Sequence, residues 1–227
     1  MKQKIWMVFF ILCIGGSLGA PATAWNGMEA PPWHVGACWQ VRVSYADPVN
    51  TERWSDPVLW DYCVVDETDG VFTLNIKRSD DGSLAAVLRL EAESLAPVSV
   101  DTVKHRRGKS VSVTTPFSEV RPLTTRNSMA PIDLPVFPLE AGEMSRYTET
   151  GEIAGDLVRT RQVMVAVTES PLPDEAGVSD DGGTYLKVTV SYGSGEVLFT
   201  QYWQQACPWP VFGENSSMRY WWVDDEE

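Results

Sequence analysis

Apolar and polar residues alternate with a period of two along most of this chain, between groups of Gly, Pro, Asp and Ser. Trp39, Val41 and Val43 alternate with Gln40 and Arg42, which predicts a half-buried strand. The same spacing predicts strands around Cys63 and at 72–77, 84–93, 98–103, 111–115, 157–168, 185–192, 196–203 and 218–223.

Helix competes with strand only at 84–93, because Ala, Leu, Arg and Glu are good helix formers. Leu84, Ala86, Leu88 and Leu90 alternate there, so we expect a strand. Roughly nine or ten strands without a helix predict an all-β fold: an antiparallel curved sheet, a half-barrel or a barrel.

Two segments interrupt the strands. Prolines at 116, 122, 131, 135 and 138 predict a long extended connection, since proline supplies no donor to a β-ladder. The segment 169–183 is rich in Pro, Asp and Glu, which predicts an exposed acidic loop between two strands.

The first 24 residues have the layout of a secretory signal peptide. Lys2 and Lys4 precede an apolar run from Ile5 to Ile14, and Ala22-Thr23-Ala24 forms a small-residue cleavage site. The run is about half as long as a membrane span of about 20 residues, and no later stretch approaches that length. We therefore expect a signal peptide at 1–24 and a single β-rich domain at 25–227, exported to a periplasm or secreted, without a transmembrane segment.

The charge excludes one class of partner. The formal net charge is −13, and beyond the first 24 residues 16 basic residues face 31 acidic ones. Because such a surface repels phosphates, we expect no nucleic-acid partner.

Tryptophan and cysteine concentrate at the two ends of the predicted domain. Ten tryptophans are present, and of the nine beyond residue 24 none lies between Asp61 and Tyr202. Cys38, Cys63 and Cys207 lie in or beside the same two stretches. One shared core is the simplest explanation, so we expect the first strand to lie beside the last.

A disulfide between Cys38 and Cys63 is expected, because the two residues occupy the polar faces of neighbouring strands. Cys207 could reach either one if the chain ends meet. A metal site is not expected, since no Cys-x-x-Cys pair occurs and the only histidines are His34 and His105.

No catalytic residues and no cofactor are predicted, because neither histidine has a recognisable catalytic partner. The basic stretch Lys104 to Lys109 is either a solvated hairpin tip or a docking site for an acidic partner. Acidic pairs such as 80–81 and 180–181 could hold calcium, although the regular calcium loop is absent. Asn215-Ser216-Ser217 is a glycosylation sequon.

Three tryptophans are the candidate ligand-binding residues. Trp33, Trp54 and Trp209 lie in proline-bearing loops, where an exposed indole could stack on a sugar ring or line an apolar opening. Trp39 and Trp60 alternate with polar residues and are expected in the core.

Two short segments carry a family resemblance. The stretch 33–41, WHVGACWQV, and the stretches 208–215 and 219–223 near the end resemble a group of secreted bacterial proteins with a Trp-x-Val-Gly-x-x-Trp opening. Those proteins resemble the half-barrels of periplasmic lipoprotein carriers. The resemblance implies a curved sheet around an apolar concavity and supplies no catalytic residues. The chain departs from the pattern at Ala37 and Cys38, where those proteins have Asp and a polar residue.

Three functional hypotheses follow. The first is a non-enzymatic exported protein that binds an apolar ligand, a lipidated partner or another envelope component in its curved sheet. The second is a glycan-binding module that uses the loop tryptophans. The third is a hydrolase whose catalytic residues follow no familiar motif.

Overall fold

The structure, a computed structural model, describes residues 27–106, 109–124, 128–153, 157–177 and 183–223. The predicted signal peptide and its cleavage site lie outside this range. The strands are β1 Cys38–Tyr45, β2 Val58–Thr68, β3 Val71–Arg78, β4 Leu84–Glu91, β5 Pro97–Arg106, β6 Lys109–Pro116, β7 Met144–Ile153, β8 Leu157–Ser170, β9 Tyr185–Tyr192, β10 Val197–Trp203, β11 Phe212–Asn215 and β12 Met218–Val223. A short 3-10 helix covers Asp174–Ala176.

All twelve strands form one antiparallel sheet in the order β6-β5-β4-β3-β2-β1-β12-β11-β10-β9-β8-β7. Each half of the sheet is a meander of six consecutive strands, and the halves meet where β1 pairs with β12. The expected neighbourhood of the first and last strands is therefore confirmed. Among the described residues β6 and β7 do not pair with each other, so the sheet is open and is not a barrel.

One face of the sheet, here called the inner face, carries the main core. The register places Val43 beside Tyr220, and the same row continues across β11 and β10 to Val188 and Val167. In the other half, Trp39, Tyr62, Ile76 and Ala86 form a parallel row and are all buried. Alternation therefore buries the same face in both halves.

The opposite face carries a smaller apolar cluster. Tyr202, Phe212 and Trp221 lie side by side on β10, β11 and β12. Leu172 and Ala176 from the β8–β9 connection pack onto them and are buried. The sequence predicts an exposed acidic loop at 169–183: Asp174 and Glu175 are exposed, but its apolar residues Leu172 and Ala176 are buried because they cover this cluster. Residues 178–182 lie outside the described part.

The proline-rich connection between β6 and β7, residues 117–143, is here called the strap. It joins opposite edges of the sheet, which is about 50 Å wide at the usual strand spacing. The strap does not run straight from one edge to the other, because Arg121 near its start already lies 3.3 Å from Glu149 on β7, whereas the later residue Pro131 contacts Tyr62 on β2. The predicted extended connection is confirmed: its described residues form no strand longer than a single bridge.

The strap crosses the inner face and completes the core. Its apolar side chains at 123, 130, 132, 134, 137 and 139 are 0–3% exposed. Side chains of the central strands hold its backbone: Tyr62 Oη donates to the carbonyl of Pro131 at 2.8 Å, and Gln201 Nε2 donates to that of Asp133 at 2.7 Å. Buried carbonyls require such partners. The inner face is therefore filled by the chain itself.

The all-β prediction is confirmed, but the count of nine or ten strands is too low. The two unpredicted strands are β7, which is polar, and β11, which has four residues and contains Gly213. Neither carries a long apolar alternation, so the sequence pattern misses both. The stretch around 84–90 is a strand, as expected.

The Cys38–Cys63 disulfide is confirmed, because the two residues lie opposite each other on β1 and β2. Cys207 lies outside the disulfide and is buried, with Sγ 3.8 Å from Gln204 Oε1. No helix among the described residues has the length and apolar composition of a membrane-spanning helix.

Candidate functional site

A cavity of about 610 Å³ lies between the strap and the second half of the sheet, and is here called the end cavity. Its volume falls in the range of small-molecule sites. The strap contributes Asp133, the strands β7 and β8 contribute Glu149 and Arg161, and the β11–β12 turn contributes Asn215. The cavity is therefore built from segments that are far apart in sequence.

The lining of the end cavity has two chemical characters. Tyr192, Val197 and Leu198, at the turn between β9 and β10, supply apolar surface. The other lining residues supply carboxylates, hydroxyls, the Asn215 amide and one guanidinium. Of the charged residues in the lining, three are acidic, Asp133, Glu149 and Glu196, and one is basic. Such a lining suits a molecule with an apolar part and a polar part.

A buried group of hydrogen bonds forms the floor beside the cavity. Gln201 is 0% exposed; its Nε2 donates to the Asp133 carbonyl and to Tyr220 Oη at 2.8 Å, and its Oε1 accepts from Trp203 Nε1 at 3.1 Å. Burial, and then the carboxylate of Asp133, raise the pKa of the Tyr220 phenol above its ordinary value of 10.0. Tyr220 therefore stays neutral and acts as a fixed polar support.

Asn215 links the turn to the strap. Its Nδ2 donates to Asp133 Oδ2 at 3.1 Å, while its Oδ1 accepts from Ser217 N at 2.9 Å and Met218 N at 3.0 Å. An Asn that bonds its own following backbone closes a tight turn. Both ends of the sequon amide are thus engaged in the fold.

Two arginines are held in or next to the cavity: Arg161 belongs to the lining, and Arg121 pairs with the lining residue Glu149. The guanidinium carbon of Arg161 lies 4.8 Å from the ring centre of Tyr192, and Arg121 Nη1 lies 3.3 Å from Glu149 Oε1. Arg121 also lies over the Phe117 ring at 4.7 Å. Both guanidinium groups are therefore held by cation–π contacts, and Arg121 also by an ion pair.

The structure brings together two of the three candidate tryptophans, but it buries them. Trp33 is 7% exposed and Trp209 is 0% exposed, and their rings stack at 6.2 Å. Trp33 Nε1 donates to the Pro208 carbonyl at 3.0 Å. The expectation that these two indoles are exposed is wrong, because the loops fold inward over Trp39 and Tyr62. Their contact with a ligand stays a prediction.

Trp54 lies apart from that pair and is half-buried. The guanidinium carbon of Arg219 lies 4.4 Å from its ring centre, so one face of the indole is covered. Trp33 additionally borders a second, shallower cavity of about 370 Å³ together with Phe72. The three candidates therefore do not form one surface. Trp39 and Trp60 are core residues, as expected.

The remaining candidates for chemistry stay separate. His34 is exposed in the turn before β1. His105 belongs to β5, but its side chain, residues 107–108 and the acidic pair 180–181 lie outside the described part. Within the described ranges, no three side chains of His, Cys, Asp or Glu converge as a metal site would require.

Sequence reasoning missed the end cavity. Asp133, Gln201 and Asn215 belong to three different segments, and their meeting depends on the strap crossing the sheet. One available signal was Asp133 itself, an acidic residue between Ile132 and Leu134 in an apolar stretch. A carboxylate in such a stretch requires a buried partner.

Comparison of the chain with known protein families, curated proteins and solved structures found no match.

Proposed function

We propose that this protein is an exported, non-enzymatic binding protein that takes an amphiphilic molecule into the end cavity. The single observation that carries the proposal is the mixed lining of that cavity, in which Tyr192, Val197 and Leu198 supply apolar surface beside three carboxylates and one guanidinium. An apolar ligand, a lipidated partner or another envelope component could supply the apolar part.

The strap covers the inner face of the sheet, and this limits the class of ligand that can bind. The strap covers the apolar surface of the sheet with side chains such as Ile132 and Leu134, both 0% exposed. A long, wholly apolar chain would have to displace them, at the cost of several buried side chains of about 2 kcal/mol each. A shorter apolar group joined to a polar head fits the end cavity without that cost.

The acidic lining favours a head group that is cationic or rich in hydrogen-bond donors. The lining holds three carboxylates and the Arg161 guanidinium, and Arg121 pairs with Glu149 from outside the lining, which leaves an excess of one negative charge. This excess favours a cation over an anion, and the net charge of the whole protein acts in the same direction. We therefore expect alkylamines to bind more tightly than alkyl sulfates of equal length.

Native mass spectrometry of freshly exported protein tests the proposal directly. We expect a co-purifying amphiphile, and calorimetric titration of the emptied protein should show at least about a tenfold preference for the alkylamine. Leu198→Trp should abolish binding by filling the cavity, whereas Leu59→Trp, on the exposed side of β2, should not. A protein that binds neither amphiphile, or that turns the bound molecule over, would contradict the proposal.

Export is supported by the disulfide, because such bonds persist in oxidising compartments and are rare in the cytosol. The intact mass of the exported protein should correspond to a chain that begins at Trp25. A different start would contradict the predicted cleavage site.

A further inference from the structure

The strand β6 forms one open edge of the sheet. Within the described residues it pairs only with β5, and its side chains from Val111 to Pro116 are exposed on both faces. Val111 and Val113 are 52% and 45% exposed on the same face. An exposed edge of this kind presents unpaired backbone groups that can accept another strand.

The direction of these backbone groups follows from a single hydrogen bond. The Phe117 N–H donates to the Val98 carbonyl on β5 at 2.9 Å, so this N–H points inward, which here means toward β5 and away from the open edge. Because donors alternate in an antiparallel pair, the N–H groups of Ser110, Ser112 and Thr114 point outward. Pro116 takes the next outward position, where its missing donor costs nothing.

The two edges of the sheet are protected differently. The opposite edge, β7, carries Arg146, Glu149 and Glu152, and charged side chains are a common protection against edge pairing. Residues 110–115 of β6 are Ser-Val-Ser-Val-Thr-Thr, a run of β-favouring residues without charge, Gly or Pro. Lys109 and Pro116 protect only the two ends of β6, so the uncharged run between them can accept a partner strand.

We propose that β6 pairs with β6 of a second copy of this chain, antiparallel and about a two-fold axis through Ser112. Because the even-numbered residues of β6 direct their backbone N–H groups away from β5, these residues form the hydrogen-bonded pairs between the two copies. Ser112 of one copy then lies opposite Ser112 of the other, and Ser110 of each lies opposite Thr114 of the other. The same register places Val111 of each copy directly opposite Val113 of the other, on one face. The edge is therefore complementary to itself, as a two-fold interface requires.

The charges of the hairpin agree with this arrangement. Lys104, Arg106 and Lys109 belong to the outer ends of β5 and β6, on a protein with a net charge of −13. In the antiparallel pair, the cationic ends of the two copies lie at opposite ends of the interface and do not contact each other. Each instead lies toward the segment of the other copy that contains exposed Glu119, which gives complementary charge twice.

Analytical ultracentrifugation of the full exported protein over a range of concentrations tests the proposal. The expected result is a reversible dimer of twice the monomer mass. Ser112→Pro removes an outward donor and should raise the dissociation constant more than about tenfold, whereas Ser112→Ala keeps the N–H and should leave it unchanged.

A second pair of variants covers the case in which the proline variant does not fold. V111K/V113K places cations opposite each other across the two-fold axis and should give a monomer, while V111E/V113K places opposite charges there and should restore the dimer. Only an antiparallel β6–β6 contact in the stated register predicts this rescue.

Oxidation of Ser112→Cys should give a covalent dimer, and Thr148→Cys on the other edge should not. A wild-type protein that stays monomeric would overturn the proposal, as would a dimer insensitive to both the proline and the lysine substitutions. Capture of a different protein at β6 by a monomeric chain would also overturn it. No residue of β6 lines the end cavity, so the oligomeric state and ligand binding can be measured separately.

Discussion

At the scale of single residues, Gly213 shows how closely the central strands approach the core. It faces Tyr220 across the β11–β12 pair, and the Tyr220 ring lies where a side chain would otherwise be. A Cβ at position 213 would come within 2.2 Å of Cζ of that ring. The ring cannot move aside easily, because its Oη is hydrogen bonded to buried Gln201. Glycine at 213 thus leaves the space that the Tyr220 ring needs in order to reach Gln201 beside the end cavity.

Gly213→Ala should therefore lower the free energy of unfolding by about 3 kcal/mol, the upper part of the usual range for overpacking. Urea unfolding followed by tryptophan fluorescence measures this change. Gly193→Ala is the matched control, since its Cβ would meet Gln162 Cβ at an ordinary 3.4 Å. Equal effects of the two substitutions would show that close approach at Gly213 is unimportant.

At the scale of elements, the strap stabilises the sheet and is held by it. Its backbone between Leu123 and Leu134 closes on itself through two hydrogen bonds, while Gln201 and Tyr62 fix it to the strands. Its described residues, 117–124 and 128–143, form no helix and no strand ladder, so side chains from the sheet supply polar partners to its backbone. Removal of one such partner should increase local opening of the strap more than opening of the sheet.

Gln201→Leu should cost about 3 kcal/mol, because it leaves the Asp133 carbonyl and the Trp203 indole N–H without their partner. Hydrogen exchange should accelerate more at the amide of Leu134 in the strap than at Val190 in β9. Gln162→Leu, at an exposed position on β8, should change the free energy of unfolding by less than about 0.5 kcal/mol. Uniform acceleration across the protein would contradict local control of the strap.

The elements also show what the sequence can predict and why it stops there. Strands with one buried face, such as β1 and β3, can be predicted from the alternation of apolar and polar residues. The pairing of Cys38 with Cys63 follows from the same alternation. The polar edge strand β7 does not, since few of its residues enter the core. The end cavity could not be predicted, because the strap that closes it is placed by contacts far apart in sequence.

At the scale of the whole molecule, burial of polar aromatic groups links folding to pH. Burial raises the pKa of the Tyr62 phenol well above 10.0, and the pKa of Tyr220 shifts in the same direction for the same reason. The unfolded chain releases these protons near its ordinary pKa, while the folded protein holds them. Their contribution to stability is therefore complete below about pH 10 and is lost as the pH rises further.

An alkaline titration should show this loss as a cooperative event. We expect Tyr62 and Tyr220 to ionise only as the protein unfolds, so that tyrosinate absorbance and the loss of far-ultraviolet dichroism rise together above about pH 10. Tyr62→Phe should reduce the dependence of the unfolding free energy on pH in that range. Ionisation of all seven tyrosines in the folded protein would contradict the assignment.

The seam between β1 and β12 has a consequence for how the protein is made. Every other strand pair joins neighbours in the sequence and can form as the chain grows, but this pair joins the first strand to the last. During synthesis the edge of β1 in the first meander stays unpaired until the six residues of β12 have been made. Loss of those few residues would remove the strand pairing between the two half-sheets and leave only the strap and side-chain packing, such as that of Trp209 on Trp39, to join them. The continuity of the sheet therefore depends on its last strand.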